Sequence, residues 1–350
     1  MHSRSETHLI IAALQTSLVP APEFHLPAPY TCEVRQYAST APDQVAERLR
    51  DADIATLSTL RLPAHVLSAA VSPRLKMVAV IASGTDSVDL AACRARGIAV
   101  SNTPHCNARA VAEHAIALYF DARRSLTLTH NLTRAGRWVE RGSALAAVMD
   151  SGSGSDRGPP RTCRSETLGI VGYGGVGRGI ESIARALGMR VLISGRKGQE
   201  PSLPSSSSSS ATEGPTRTPF DTVVRESTVL ALCLPRTPDT VSLVAAPELA
   251  AMRADAIVIN VSRAGIVDED ALVAALRDRR IAGAAVDVHP VEPAGPGNSR
   301  LLAPDTAELN LIATPHTAWI AEDTIRNYQG ALVENVASWL VTGRPKFQVV

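Results

Sequence analysis

Across 350 residues no apolar run approaches the ~20 needed to cross a bilayer, so no transmembrane helix is expected. Net charge is only +1, from 35 Lys and Arg against 34 Asp and Glu, which gives no electrostatic pull toward nucleic acid or an anionic membrane. Cysteine is sparse. Cys32, Cys93, Cys106, Cys163 and Cys233 show no paired spacing, which argues against a zinc site or a disulfide framework. No metal is expected, and a reducing, cytoplasmic compartment fits. The apolar "HLIIAAL" near the N-terminus is short, follows Glu6 and meets no small-residue cleavage pattern, so it reads as a first β-strand rather than a leader. Asn260-Val261-Ser262 matches a glycosylation acceptor but lies in the apolar run "AIVIN", where it would be buried.

The length exceeds one ordinary core, and 45% apolar with 20% charged residues is the balance of a globular protein, so two domains are expected. In the first hundred residues "HLIIAAL", "CEVRQY", "DIATLST" and "LKMVAVIAS" read as buried strands, separated by the helical patterns "APDQVAERLRDA" and "PAHVLSAAVS". A second series follows: "TLGIVGYG", "VLISG", "VLALCLP", "AIVINVS", "GAAVDV" and "NLIATPH". Strands alternating with helices indicate parallel sheets covered on both faces. "NARAVAEHAIALYFDARRSLTLTHNLTRAG" reads as one long helix crossing between the units. "AEDTIRNYQGALVENVASWLVTG" reads as an amphipathic helix, stopped by Gly343, that returns to the first unit. The fold class is therefore α/β, with two Rossmann-like or flavodoxin-like parallel-sheet domains, the second inserted into a discontinuous first. The expected boundaries are 1–115 with 320–350 and 116–319, the latter carrying polar low-complexity loops at 151–160 and 202–215.

"TLGIVGYGGVGRGIESIARALGMRVLIS" is strand, glycine turn, helix and strand in succession. Gly172 suits the tight turn, Gly174 the close approach of a pyrophosphate and Gly177 helix–strand packing, with Gly175 and Val176 opening the helix whose amides face the phosphates. The next strand should end in Asp or Glu for the adenosine ribose, and here that acid is missing. "RVLISGRKG" ends instead in Ser194, Gly195, Arg196 and Lys197. Without the carboxylate a 2′-phosphate meets no repulsion, while Arg196, Lys197 and Ser194 can donate to it. The expected cofactor is NAD(P), leaning to NADP; the alternative is that Arg196 and Lys197 are solvated loop charges.

"NVSRAGIVDEDALVAALRDRRIAGAAVDVHPVEP", "NLIATPHTAWIAEDT" and "GTDSVDLAACRARGIAVSNTPHCNARAVAEHAIAL" together resemble the D-isomer-specific 2-hydroxyacid dehydrogenases. The likeness covers about 75 to 346 and is greatest to the hydroxypyruvate and glyoxylate reductase (glycerate dehydrogenase) branch. It implies reduction of a small 2-keto acid to the D-2-hydroxy acid by a homodimer, and it places the catalytic arginine, glutamate and histidine on Arg263, Glu292 and His316. The residue types suit the chemistry. A planar guanidinium can hold a carboxylate and the adjacent carbonyl, imidazole can give a proton near neutrality, and a carboxylate beside it favours the imidazolium. Taken singly, each could be an ion-pair partner, a loop charge or a turn residue.

The resemblance also implies that Ser83, Gly84 and Thr85 hold the substrate carboxylate and that Asn107 lies on the substrate side. Val111, Leu234, Pro235, Val261, Ser262 and Asp287 would line the cofactor. Cys106 and Cys233 read as small fillers. The chain departs from the pattern at Ala264, where the family usually has glycine; a positive φ there would cost about 1 kcal/mol and tilt Arg263. The rival from another class is a cofactor-sensing, corepressor-like binding protein on the same fold.

Overall fold

The computed structural model describes residues 7–138, 148–149, 159–199 and 216–350. Of the two low-complexity loops, 151–158 and 202–215 lie outside the described residues. The chain divides into two compact units, Met1–Asn107 with Ile320–Val350, and Ala108–Trp319. The boundary expected at 115/116 thus falls at 107/108.

In the first unit β1 (Thr7–Ala13), β2 (Tyr30–Gln36), β3 (Ile54–Leu57), β4 (Met77–Val80) and β5 (Ala99–Ser101) form a parallel sheet in the order β2-β1-β3-β4-β5. β3 and β4 are buried along their whole length, Thr56 included, which is why they read as largely apolar runs. The three-residue β5 carried too little pattern to be expected. Helix α1 (Val45–Leu49) follows a 3-10 turn at Pro42–Gln44, and α2 (Leu90–Arg96) is capped by the Asp89 carboxylate, which accepts from the Ala92 amide, and stopped by Gly97 at φ 67°. The helix expected from "PAHVLSAAVS" does not form. Between Pro63 and Pro73 the backbone closes as turns, with Val66 N donating to Pro63 O and Ser72 N to Ser68 O, because ten residues bounded by prolines are too few to sustain a helix. The C-terminal helix, Glu322–Thr342, ends at Gly343 with φ 76°. The tail then returns to β5, where Val349 N donates to Val100 O at 2.7 Å and Val100 N to Val350 O at 3.1 Å.

The second unit opens with α3 (Ala108–Arg124) and α4 (Leu126–Arg134). The single long helix expected here is therefore broken, at Ser125 with φ 50°. The Asp121 carboxylate supplies the reason: it takes the Thr127 amide and hydroxyl at 2.8 and 2.6 Å and so caps a new helix. Then follow β6 (Thr167–Val171), α5 (Gly175–Ala186), β7 (Arg190–Ile193), α6 (Phe220–Glu226), β8 (Val229–Leu232), α7 (Ala246–Ala251), β9 (Ile257–Asn260), α8 (Glu269–Arg277), β10 (Gly283–Val286) and β11 (Leu311–Ala313). The sheet is parallel, in the order β11-β10-β9-β8-β6-β7.

Alternate residues of each strand face opposite helical layers. Leu230 and Leu232 of β8 join the core with α6, α7 and α8, while Val229 and Ala231 join the one with α3 and α5. One end of α3 is fixed by a buried ion pair. Arg123 Nε lies 2.6 Å from Glu166 Oε1, and the same guanidinium donates to the carbonyls of Asp255 and Thr228. Strand order reverses at β6, which pairs with β7 on one side and β8 on the other; sites form beyond the carboxyl ends of such strands.

Candidate active site

The turn after β6 shows which glycines are obligatory. Gly172 has φ 96°, and a Cβ on it would lie 2.6 Å from the Cys233 carbonyl oxygen. A Cβ on Gly177 would come within 2.3 Å of Gly172 O, so helix and strand approach as closely as backbone allows. Gly174 meets nothing within 4 Å, leaving the outer face of the turn open. Arg178 N makes the first helical bond, to Gly174 O at 3.1 Å, so the first-turn amides of Gly175, Val176 and Gly177 have no acceptor within the helix. An open turn backed by a helix N-terminus fits a dinucleotide pyrophosphate. Leu234 and Pro235 follow β8 beside this turn, the Leu234 Cβ being 2.8 Å from the Cβ position of Gly172. Cys233 is a packing residue: its thiol donates to Gly172 O at 2.9 Å, and burial pushes it up to about 12. Burial likewise raises the Cys106 thiol, with the Glu334 charge adding to it. Val111 is buried in the same apolar core as Ile180 of α5.

At the end of β7 the expected donors divide. Ser194 is buried, and its hydroxyl donates to the Gly195 carbonyl at 2.7 Å, so it is not the free donor expected. Lys197 Nζ lies 2.7 Å from Glu248 Oε1 and donates to Leu243 O, which ties it to α7. Arg196 stays exposed. A residue that the sequence did not single out stands next to them. Thr218 forms a one-residue parallel bridge with Ser194, and its neighbour Arg217 donates from Nη1 to Ser194 O at 3.3 Å and lies over the Tyr173 ring, 5.0 Å from its centroid. A serine-rich stretch just upstream hid this position from pattern reading.

Arg263, Glu292 and His316 follow the carboxyl ends of the three neighbouring strands β9, β10 and β11. Arg263 is held at its base: Asn260 Nδ2 donates to its carbonyl at 3.0 Å, and its Nη1 donates to Ser262 O at 2.8 Å. Val261 and Ser262 are buried, and the Ser262 amide and hydroxyl both donate to Asn260 Oδ1. The left-handed residue beyond the arginine is Gly265, with φ 78°, and Ala264 has no positive φ. The strain anticipated at Ala264 is absent because the turn places its glycine one position later.

Glu292 and His316 meet. His316 Nδ1 lies 2.9 and 3.0 Å from the two carboxylate oxygens. Burial opposes charge on Glu292, yet the His316 hydrogen bond, the His289 amide at 3.0 Å and the two imidazoles hold the carboxyl below the ordinary glutamate range. His316 itself adopts φ 54°. What holds it there is Asp287, 1% exposed, whose carboxylate accepts from Thr314 Oγ1 at 2.5 Å, Thr317 N at 3.0 Å and Ala318 N at 2.9 Å. Asp287, expected to line the cofactor, thus clamps the loop carrying His316 from both sides. Buried His289 adds a further bond, from Nε2 to Thr314 O at 3.1 Å, and His114 Nε2 lies 3.3 Å from Thr314 Oγ1. Neither histidine was legible as part of the site, because both act on backbone or hydroxyl groups far away in sequence.

In the first unit the loops after β4 and β5 bring Ser83 and Asn107 together, Ser83 Oγ being 3.3 Å from Asn107 Oδ1, while Asn102 Nδ2 donates to Ser83 O. Gly84 and Thr85 continue the same loop, and Thr85 O accepts from Val88 N. Among the described residues no cluster of His, Cys, Asp and Glu is placed to hold a metal, and no helix is long and apolar enough to cross a membrane.

Comparison with known proteins gives this geometry a family. Residues 116–318 match the model of the D-isomer-specific 2-hydroxyacid dehydrogenase NAD-binding domain. The chain is 36% identical over 325 residues to a glycerate dehydrogenase of Methylorubrum extorquens, covering 93% of each, and 33% identical over 301 residues to a glyoxylate reductase of Aeropyrum pernix, covering 85% of this chain and 82% of that one. Among solved structures it resembles an NADPH-dependent glyoxylate/hydroxypyruvate reductase of Sinorhizobium meliloti, with a TM-score of 0.73, 27% identity and 98% of both chains covered. The chain belongs to the D-isomer-specific 2-hydroxyacid dehydrogenase family and is an NAD(P)-dependent oxidoreductase.

Proposed function

We propose that the protein reduces a small 2-keto acid of the hydroxypyruvate or glyoxylate type to its D-2-hydroxy acid, with NADPH preferred. The observation that carries the reading is the His316–Glu292 pair, which follows β11 and β10 at the carboxyl edge of the sheet, with Arg263 after the adjoining β9. Because Glu292 occupies Nδ1, the proton for the substrate comes from Nε2 of His316. Arg263 holds the substrate carboxylate and the adjoining carbonyl, and its fixed charge meets the negative charge that grows on the carbonyl oxygen. Ser83, Gly84 and Thr85 offer backbone amides to the carboxylate, and Asn107 contributes a side-chain contact. Gly172, Gly174, Gly175, Val176 and Gly177 hold the pyrophosphate, while Leu234, Pro235, Val261 and Ser262 line the nicotinamide end, with Val111 packed behind. When bound, the nicotinamide cofactor supplies the hydride.

Arg196 and the missing acid at Gly195 support the leaning to a 2′-phosphate, as does the likeness to a reductase described as NADPH-dependent. We further place the enzyme in the cytoplasm as a homodimer, the former from five thiols without paired spacing and the latter from the family resemblance. The test is nicotinamide absorbance with glyoxylate, hydroxypyruvate and bulkier 2-keto acids, each with NADH and NADPH. Turnover of the two small acids, faster with NADPH, is expected. Turnover confined to bulky keto acids, or a preference for NADH, would refute the corresponding half of the proposal.

A further inference from the structure

From the surroundings of β7 we infer that Arg217 is a specificity residue for the cofactor, forming with Arg196 a two-arginine grip on the adenosine 2′-phosphate. This rests on the NADP reading proposed above. The sequence offered Arg196 and Lys197 for that task, but Lys197 is turned to Glu248 and Leu243 O. Arg217 reaches the same strand end from the other side. The Ser194–Thr218 bridge, with Gly195 N donating to Thr218 O at 2.7 Å and Thr218 N to Ile193 O at 2.8 Å, fixes the backbone on which Arg217 stands. Its guanidinium lies over Tyr173, inside the glycine turn, and Nη1 touches Ser194 O. It therefore joins the two elements that flank an adenosine ribose, the turn after the first strand and the end of the second. One donor of the guanidinium goes to Ser194 O, and among the described residues the Nε and Nη2 groups carry no hydrogen bond. The contacts with the Tyr173 ring and Ser194 O already hold the guanidinium at the strand end, so less side-chain freedom remains to be lost when an anion binds. On the turn side the Glu181 carboxylate accepts from Tyr173 Oη and Arg185 Nε.

The test is calorimetric binding of adenosine 2′,5′-bisphosphate and of AMP, which differ by the 2′-phosphate alone. The full chain is compared with Arg217→Gln, Arg196→Gln and Lys197→Gln, and thermal melts establish that each variant is folded. The wild type is expected to favour the bisphosphate. Arg217→Gln should lose about tenfold of that preference, the value of one charge-assisted contact at an exposed site, with AMP affinity unchanged. Arg196→Gln should do the same and Lys197→Gln should keep the preference. A wild type that does not discriminate would overturn the NADP reading itself. If the wild type discriminates and Arg196→Gln abolishes this while Arg217→Gln does not, the NADP reading stands and the role of Arg217 falls. Equal weakening of both ligands by Arg217→Gln would likewise remove Arg217 from phosphate recognition.

Discussion

Replacing Asp287 should damage catalysis through the loop rather than through the cofactor. Its carboxylate, 1% exposed, accepts the Thr314 hydroxyl and the amides of Thr317 and Ala318, and between these anchors His316 sits at φ 54°. Asp287→Ala leaves two backbone amides with no acceptor, at about 1–3 kcal/mol each, while the Thr314 hydroxyl can rotate to another partner. The expected loss is therefore about 2–6 kcal/mol, less whatever water entering the gap restores. Asp287→Asn keeps one oxygen and turns an NH2 group toward a donor, so it should lose about half as much. For a unit of this size each kcal/mol moves the melting transition by roughly 2–4 °C. A left-handed histidine stores about 1–3 kcal/mol that the clamp now offsets. Once freed, the ring should swing away from Glu292 and kcat should fall steeply, with the cofactor dissociation constant little changed. Thermal melts, kcat at saturating substrates and cofactor titration separate the possibilities. An unaltered melting temperature with a weakened cofactor complex would show that Asp287 acts on the nicotinamide, and the clamp argument would fail.

Pattern reading served well wherever chemistry and apolar rhythm were local. All six strands of the second sheet show as apolar runs because a parallel sheet covered on both faces has no polar side to interrupt them. Glu292 and His316 came from the family resemblance and not from the pattern, and the structure brings the two side chains together; Gly172 and Gly177 were read as turn and packing glycines, and neither has room for a Cβ. What escaped depends on partners far apart in sequence. The Asp287 clamp spans 27 to 31 positions, and the Ser194–Arg217 contact spans 23. The Ser125 break was hidden for a different reason: the Asp121 carboxylate competes for the Thr127 amide within what looks like one continuous helix. At Ala264 the sequence suggested strain, but a turn can move its left-handed residue by one place, and Gly265 was there to take it.

His316→Ala should lose about 10²- to 10⁴-fold in kcat, the usual contribution of a general acid, while cofactor titration stays intact; a near-wild-type rate would refute the assignment. Arg263→Ala should raise KM and lower kcat, and Arg263→Lys should not restore them fully, because a point charge cannot span two oxygens; full activity in the lysine variant would show that charge alone suffices. Arg123→Ala should lower stability by about 3–5 kcal/mol by stranding buried Glu166, whereas Arg123→Met with Glu166→Leu should regain most of it; denaturant midpoints decide. Glu292→Gln tests the pair at the heart of the site. The Glu292 carboxyl is held below its ordinary range in the folded protein. Its pairing energy is therefore present above the ordinary glutamate range and lost as pH falls through the lowered value. On the acid side, the wild-type rate should hold to a pH below that range and then decline, and the glutamine variant, having no charge to lose, should lack that limb. A variant that keeps the acid limb where it was would mean that the Glu292 carboxylate, 2.9 Å from His316 Nδ1, is not the group whose protonation stops the reaction.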